Sequence, residues 1–389
     1  MTHAHKRIGG GMLAASLALL LTACGGGSGS GSGSDDGLGD EITVGVALPT
    51  TGGSAQLGQP MTNGIEMAVK EINDAGGIGG AKLKIDQVDL GATDSDALNA
   101  FNRVADDSPA AVIGFPVSTQ GFAVATQVDR AGIPVLMGGT NPGLTDASDL
   151  IFSMTSSDKL TSTAAAQFAA EDLGVKKVGL LRESGELGTG ASEVLHSAAD
   201  EFGFDIVDEE VFTSGDVDLS TQANKLRSSG AEMLFVYGQQ ADYIVVGNAF
   251  ATAGVKLPTF LAGLQPATYQ QLNKDGFDTI YNRNQCIPSA ATEGALADWS
   301  KEYQATYSDA PTEYAAIAYD GMNLLGAAIE KAGSTDSKAI AEALHSLQDS
   351  DGVCGAHGGT DSGALSFGVT IGHYDNGAYV PDQQLTVKP

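Results

Sequence analysis

The chain is poor in cysteine, in histidine and in positive charge. Three cysteines in 389 residues exclude a fold stapled by many disulfides and a cluster of thiolate metal ligands. Twenty lysines and arginines stand against 48 acids, a formal net charge of −28. Such a surface repels phosphate backbones, so no nucleic-acid partner is expected. Two of the six histidines fall in the first five residues, and His196, His345, His357 and His373 are scattered along the rest. They read as surface or satisfied histidines, not as catalytic bases. A Walker loop, a zinc-protease helix motif and a G-x-S-x-G elbow are all missing. No catalytic residue, cofactor or resident metal is assigned, and the chain is not read as an enzyme.

What is present begins at the N-terminus. Lys6 and Arg7 precede an apolar run from Met12 to Leu21, the shape of a secretory signal and too short for a comfortable membrane span. The box Leu21-Thr22-Ala23-Cys24 resembles the lipobox of bacterial lipoproteins. That resemblance implies cleavage before Cys24 and acylation of its sulfur; an ordinary signal peptide that happens to carry a cysteine is the plain alternative. The glycine-serine run that follows offers no core residue before Glu41 except Leu38, and reads as a tether with a reach of about 20–25 Å. The expected organisation is a signal peptide over 1–23, a flexible tether over 24–40, and a folded part beginning at Glu41. A lipid anchor alone would hold it at the outer face of a bacterial cell membrane, since no later apolar stretch is long enough to cross a bilayer.

The mature chain of 366 residues suits two domains. Its formal charge becomes −30, because the signal carries two basic residues and no acid; a solvated acidic coat is the simple explanation, and a salty habitat would fit it. Outside the cytoplasm the remaining pair, Cys286 and Cys354, reads as a disulfide. Cys354 with His357 has metal-ligand spacing as an alternative, but no further ligands cluster nearby in the sequence.

Apolar runs and helical spacing alternate twice. Ile42 to Leu48 reads as a strand buried on both faces. Met61, Ile65, Ala68 and Ile72 then share one helical face, with Gly76-Gly77 as the exit. Strands are expected at 82–90, 110–115 and 133–137, with helices at 95–104 and 120–130. The rhythm restarts after Asp149, with strands at 177–181, 205–212, 233–237 and 259–261 and helices between them. A helix-rich region spans 295–347, and two last strands flank the turn Asp375-Asn376-Gly377. Two parallel-sheet α/β units follow from this pattern.

In such sheets ligands sit at the carboxyl ends of strands, beside helix N-termini. There the chain has Val117-Ser118-Thr119-Gln120 and Gly138-Gly139-Thr140-Asn141, whose hydroxyls and free N–H groups suit a carboxylate. The alternative is that Ser118 or Thr119 merely caps its helix.

Three separated stretches, Ala55–Ile85, Ile133–Asp146 and Tyr314–Asp336, resemble the substrate-binding proteins of branched-chain amino-acid ABC transporters. The resemblance implies a type I periplasmic-binding fold: α/β, with two Rossmann-like lobes of parallel sheet joined by a three-stranded hinge. On that template lobe 1 takes 41–156 and 286–362, and lobe 2 takes 157–285 and 363–389; both cysteines then fall on lobe 1 near a crossing, which supports their pairing. The family's carboxylate contacts carry over to Ser118, Thr119, Gly139, Thr140 and Asn141. Where amino-acid binders place an acid for the ligand's ammonium, this chain reads Gly263-Leu264-Gln265, and where aromatics line the cleft it has Leu57, Leu187 and Gln239-Gln240. A buried ammonium without a carboxylate is costly. Either Glu183, Glu186 or Asp242 substitutes, or the ligand carries no ammonium.

The expected function is capture of a small polar solute, an amino acid of branched-chain type, by lobe closure and its delivery to the permease subunits of an ABC importer. The protein is expected to act as a monomer. An amide, urea-like or other small organic solute is the alternative ligand. The alternative roles are an extracytoplasmic ligand-sensing domain and an extracellular hydrolase.

Overall fold

The computed structural model describes residues 37–51 and 55–387. The signal segment, Cys24 and all but the last four residues of the tether lie outside the described residues. From Glu41 the elements run β1 (Glu41–Leu48), α1 (Ala55–Asp74), β2 (Lys82–Asp89), α2 (Asp94–Asp106), β3 (Ala111–Gly114), α3 (Ser118–Ala131), β4 (Val135–Met137), α4 (Gly143–Asp146) and β5 (Ile151–Ser153). A second series follows: α5 (Asp158–Glu171), β6 (Lys177–Glu183), α6 (Glu186–Phe202), β7 (Asp205–Phe212), α7 (Ser220–Ser228), β8 (Met233–Tyr237), α8 (Gln240–Ala253), β9 (Thr259–Leu261), α9 (Pro266–Gln271) and β10 (Ile280–Asn284). The chain ends with α10 (Gly294–Tyr307), α11 (Glu313–Ala332), α12 (Ser337–His345), the hairpin β11 (Ser350–Gly352) and β12 (Gly355–His357), and β13 (Gly368–Asp375) and β14 (Ala378–Thr386).

The first sheet is parallel in the order β2-β1-β3-β4-β5. Its inner strands are apolar on both faces because helices cover both, while the edge strand β2 is largely polar and exposed. Ile42, Val44, Val46 and Leu48 of β1 pack with α1 and α11, while Ala47 joins Phe101 and Val104 of α2 on the other side. α1 and α11 approach closely at Gly64, where an added Cβ would lie 2.1 Å from the Ala315 carbonyl oxygen. The helix-rich third region thus covers one face of the first sheet. The second sheet runs β14-β13-β10-β9-β8-β6-β7, parallel from β7 to β10 and antiparallel in β13 and β14. α5 and α6 cover one of its faces, and α7 and α8 the other.

The β13–β14 turn falls at Asn376 and Gly377, with φ of 48° and 88°, the left-handed pair that a tight hairpin needs. Strands β5 and β10, and the short hairpin strands β11 and β12, are additional to the expected set. Their signal is weak: β5 has three residues, and β10 reads Ile-Tyr-Asn-Arg-Asn. The chain passes between the sheets after Ser153, after Asn284 and before Gly368. On the last passage Gly363 and Leu365 still bond to Ser153 of the first sheet, a few residues beyond the expected boundary at 362. Cys286 and Cys354 form a disulfide with a Cα–Cα separation of 5.0 Å, so the Cys354 sulfur is committed and the metal alternative with His357 falls away. His357 instead meets Asp320 of α11 at 3.0 Å. Among the described residues no helix is long and apolar enough to cross a membrane.

Candidate functional site

Parallel strands deliver their carboxyl ends to one edge of a sheet, and the order of the strands opens a crevice where neighbouring connections leave in opposite directions. In the first sheet that point lies between β1 and β3, and in the second between β6 and β8. The expected contacts sit on the loops around these two points and on the neighbouring β4 and β9 loops.

On lobe 1, α3 opens without a side-chain cap at Val117, which leaves its first N–H groups without intrahelical partners. The Asn141 N–H donates to Ser118 Oγ at 3.2 Å, joining the loop after β4 to the helix start. Gly139 is required there: a Cβ would lie 2.8 Å from Ser118 Oγ and 2.7 Å from a Leu144 methyl. Thr155 Oγ1 donates to the Gly139 carbonyl at 3.0 Å, and Asn141 Oδ1 accepts from the Gly143 N–H at 2.9 Å. Ser118, Gly139, Thr140 and Asn141 therefore form one patch. Thr119 is exposed at the second position of α3, and Leu57 is half-buried in the opening turn of α1.

On lobe 2, Gln240 spans the start of α8 and the loop after β9. Its Nε2 donates to the Gly263 carbonyl at 2.9 Å and its Oε1 accepts the Gln265 N–H at 3.0 Å. Both ends of that amide serve the protein itself. Gln239 and Gln265 are exposed, and Leu187 is half-buried in the first turn of α6. Gln265 lies beside Tyr314 of α11, whose phenol burial raises and Glu313 raises further, while Arg283 and the Gln265 amide lower it.

Two acids that sequence offered as ammonium partners are engaged by neighbouring loops of the protein itself. Glu183, buried at the end of β6, accepts the Gly185 and Gly188 N–H groups at 2.7 and 2.9 Å. Asp242, also buried, accepts from the Gln239 N–H at 2.8 Å, Ser214 Oγ at 2.8 Å and the Gly215 N–H at 3.0 Å.

The acid that does meet the patch is Asp158, in the first turn of α5. Thr140 Oγ1 donates to its Oδ2 at 3.0 Å, and its own N–H donates to the Thr140 carbonyl at 2.8 Å. Arg283 Nη2 of β10 donates to Oδ1 at 2.7 Å, and the Asp158 side chain remains 33% exposed. Around this pair stand Tyr237, whose phenol burial pushes up to about 12, and Glu313. Burial raises the Glu313 carboxyl, opposed by the Gln285 N–H and by Arg283. Sequence reasoning missed Asp158, Arg283 and Tyr314. Asp158 lies 18 residues from Thr140 and Arg283 a further 125 residues on, and no local pattern links such positions.

A cavity of about 560 Å³ lies on the hinge, lined by Cys286, Gly294, Asp351, Thr370 and Gln384 among others. It includes none of the expected ligand contacts. Among the described residues no group of three or more His, Cys, Asp and Glu side chains is placed to hold a metal ion.

The arrangement offers hydroxyls and helix-end amides at the β3 and β4 strand ends, an Asp158–Arg283 pair bonded to Thr140, and side-chain amides at the β8 and β9 strand ends. Known proteins share the fold. A family model described as periplasmic binding protein matches residues 41–377. The Leu/Ile/Val-binding protein homolog 3 of Brucella melitensis is 28% identical over 335 residues, 84% of this chain and 89% of the relative. A solved ABC transporter substrate-binding protein from Desulfitobacterium hafniense, in complex with Leu, is 25% identical with a TM-score of 0.75, covering 88% of this chain and 99% of its own. A solute binding protein from Rhodopseudomonas palustris, in complex with 3,4-dihydroxy benzoic acid, is similar in fold, with a TM-score of 0.71 at 18% identity over 90% of this chain and 98% of its own. Matched over most of its length, the chain belongs to the periplasmic binding protein family and has its type I, two-lobed fold.

Proposed function

We propose that the protein is an extracytoplasmic solute receptor that closes its two lobes on a small carboxylate-bearing solute, an amino acid of branched-chain type, and presents it to the permease of an ABC importer. The observation that carries this reading is the Ser118–Gly139–Thr140–Asn141 patch, joined through Thr140 to Asp158. The uncapped start of α3 and the Ser118 hydroxyl suit a carboxylate. Asp158 is paired with Arg283 but keeps a partly exposed carboxylate beside Thr140, and offers the ammonium an acidic acceptor that Gln265 does not. Lobe 1 is taken as 41–156 with 286–362 and lobe 2 as the remainder, so that each wall contributes half of the polar contacts. Only the liganded state then favours closure. No bond is made or broken, and the receptor acts as a monomer. The Leu/Ile/Val-binding relative and the leucine complex support the amino-acid assignment.

Titration calorimetry with leucine, isoleucine and valine tests the reading. Ser118→Ala combined with Thr140→Ala should weaken binding by about 2–5 kcal/mol, and unchanged affinity removes the assignment of this patch. A second reading, a carboxylate solute without an ammonium, is favoured by the commitment of Glu183 and Asp242 to backbone N–H groups. It gains if Asp158→Asn leaves affinity intact and an aromatic acid such as 3,4-dihydroxybenzoate binds in place of leucine. Attachment through Cys24 is part of the proposal. Metabolic labelling with a fatty-acid analogue should mark the wild-type chain and not Cys24→Ala; equal labelling of both would refute it.

A further inference from the structure

Three strands of chain join the lobes, and one side chain touches all three. Gln285 follows β10 on the second crossing and is 3% exposed. Its Oε1 accepts the Ser156 backbone N–H, on the first crossing, at 2.9 Å. Its Nε2 donates to Ser366 Oγ, on the third, at 2.5 Å. Ser156 Oγ completes the ring by donating to the Gly368 carbonyl at 2.8 Å, and Thr370 Oγ1 donates to the carbonyl of Gln285 itself at 3.2 Å. Ser156 and Ser366 are 2% and 0% exposed, so water cannot replace either partner without opening the hinge.

Covalent structure repeats the pattern. The next residue, Cys286, is bonded to Cys354 at the turn of the β11–β12 hairpin, which leads into the third crossing. That hairpin is itself fixed to α11, because Asp320 accepts the Val353 and Cys354 N–H groups at 2.9 and 2.7 Å and meets His357 at 3.0 Å. An amide with both ends engaged in a buried network has one orientation, since turning it would leave a donor and an acceptor unpaired. Three independent strands could twist or shear past one another. Three strands tied at one level must turn together.

We propose that Gln285 is a positioning residue that locks the three crossings into a single pivot and so confines the two lobes to rotation about one axis. The proposal rests on the lobe-closure reading of the site, and its test separates the two. Spin labels on keto amino acids at Asn102 of α2 and Glu201 of α6 report the inter-lobe distance by pulsed electron resonance and leave the disulfide untouched. The ligand-free wild-type protein should give one narrow distance. Gln285→Met should at least double the width of that distribution with a melting temperature within a few degrees, and Ser366→Ala should broaden it less. A broad wild-type distribution, or unchanged widths in both variants whatever their melting temperatures, overturns the proposal and leaves Gln285 a stabilising residue only. Should Gln285→Met not fold, the width of Ser366→Ala decides alone. Adding 5 mM leucine to the wild type tests capture separately: a missing shift in mean distance counts against leucine-driven closure, while the ligand-free widths still judge the pivot.

Discussion

Glu209 on β7 is pulled in two directions. Burial raises its carboxyl, but Arg182 Nε at 2.6 Å, His196 Nε2 at 3.0 Å and Ser192 Oγ at 2.9 Å outweigh that and hold it at about 2. A folded-state value below the unfolded one contributes stability that is complete above about pH 4.5 and lost as pH falls towards 2. Glu209→Gln should therefore destabilise the protein by about 1–3 kcal/mol at pH 6, and by about half as much at pH 3. Urea unfolding at matched ionic strength measures both, and a penalty independent of pH would refute the pairing. Single residues at the site were legible only in part. Ser118, Gly139 and Thr140 could be placed at strand ends because they follow apolar runs, Ser118 also opening α3. The commitment of Glu183, Asp242 and Gln240 to loop backbone was not legible, since a carboxylate facing a ligand and one facing its own loop have the same letter.

Elements were read well where they are long and periodic, and poorly where burial is polar. β10 was missed because Asn282 is buried in it. The Asn282 amide is satisfied by the Leu264 N–H at 3.2 Å and the Leu264 carbonyl at 2.9 Å, a pairing across 18 residues that hydropathy does not record. α1 was legible, yet the reason for a glycine at its centre was not. Intrinsic propensity alone would make Gly64→Ala stabilising by about 1 kcal/mol. The Ala315 carbonyl oxygen, 2.1 Å from the added Cβ, reverses that sign, because backbone rather than a flexible side chain must give way. Gly64→Ala should cost about 1–3 kcal/mol net, read from chemical denaturation with the m-value unchanged. A more stable variant would show that α1 and α11 separate freely.

At the scale of the whole molecule, 48 acids against 20 basic residues make self-repulsion the dominant long-range term. Raising sodium chloride from 10 mM to 1 M shortens the screening length from about 30 Å to about 3 Å. The melting temperature should rise by about 2 °C or more, the shift that roughly 1 kcal/mol produces in a large domain. A flat or falling melting temperature would mean that local ion pairs such as Arg283–Asp158 and Arg182–Glu209 outweigh the overall charge.

By itself the sequence determined the α/β alternation, the tight turn at Asn376-Gly377 and the strand-end loops that carry the polar patch, because these depend on periodicity and on short-range backbone chemistry; the family was legible separately, from the resemblance of three motif stretches. Only the tertiary structure decided which polar groups are already satisfied, that Asp158 and Arg283 meet Thr140, and that Gln285 gathers the three crossings. The last two of these facts depend on residues 18 to 212 positions apart becoming neighbours. Desolvation then obliges each buried donor to find its acceptor, and the choice of acceptor exists only after the chain has folded.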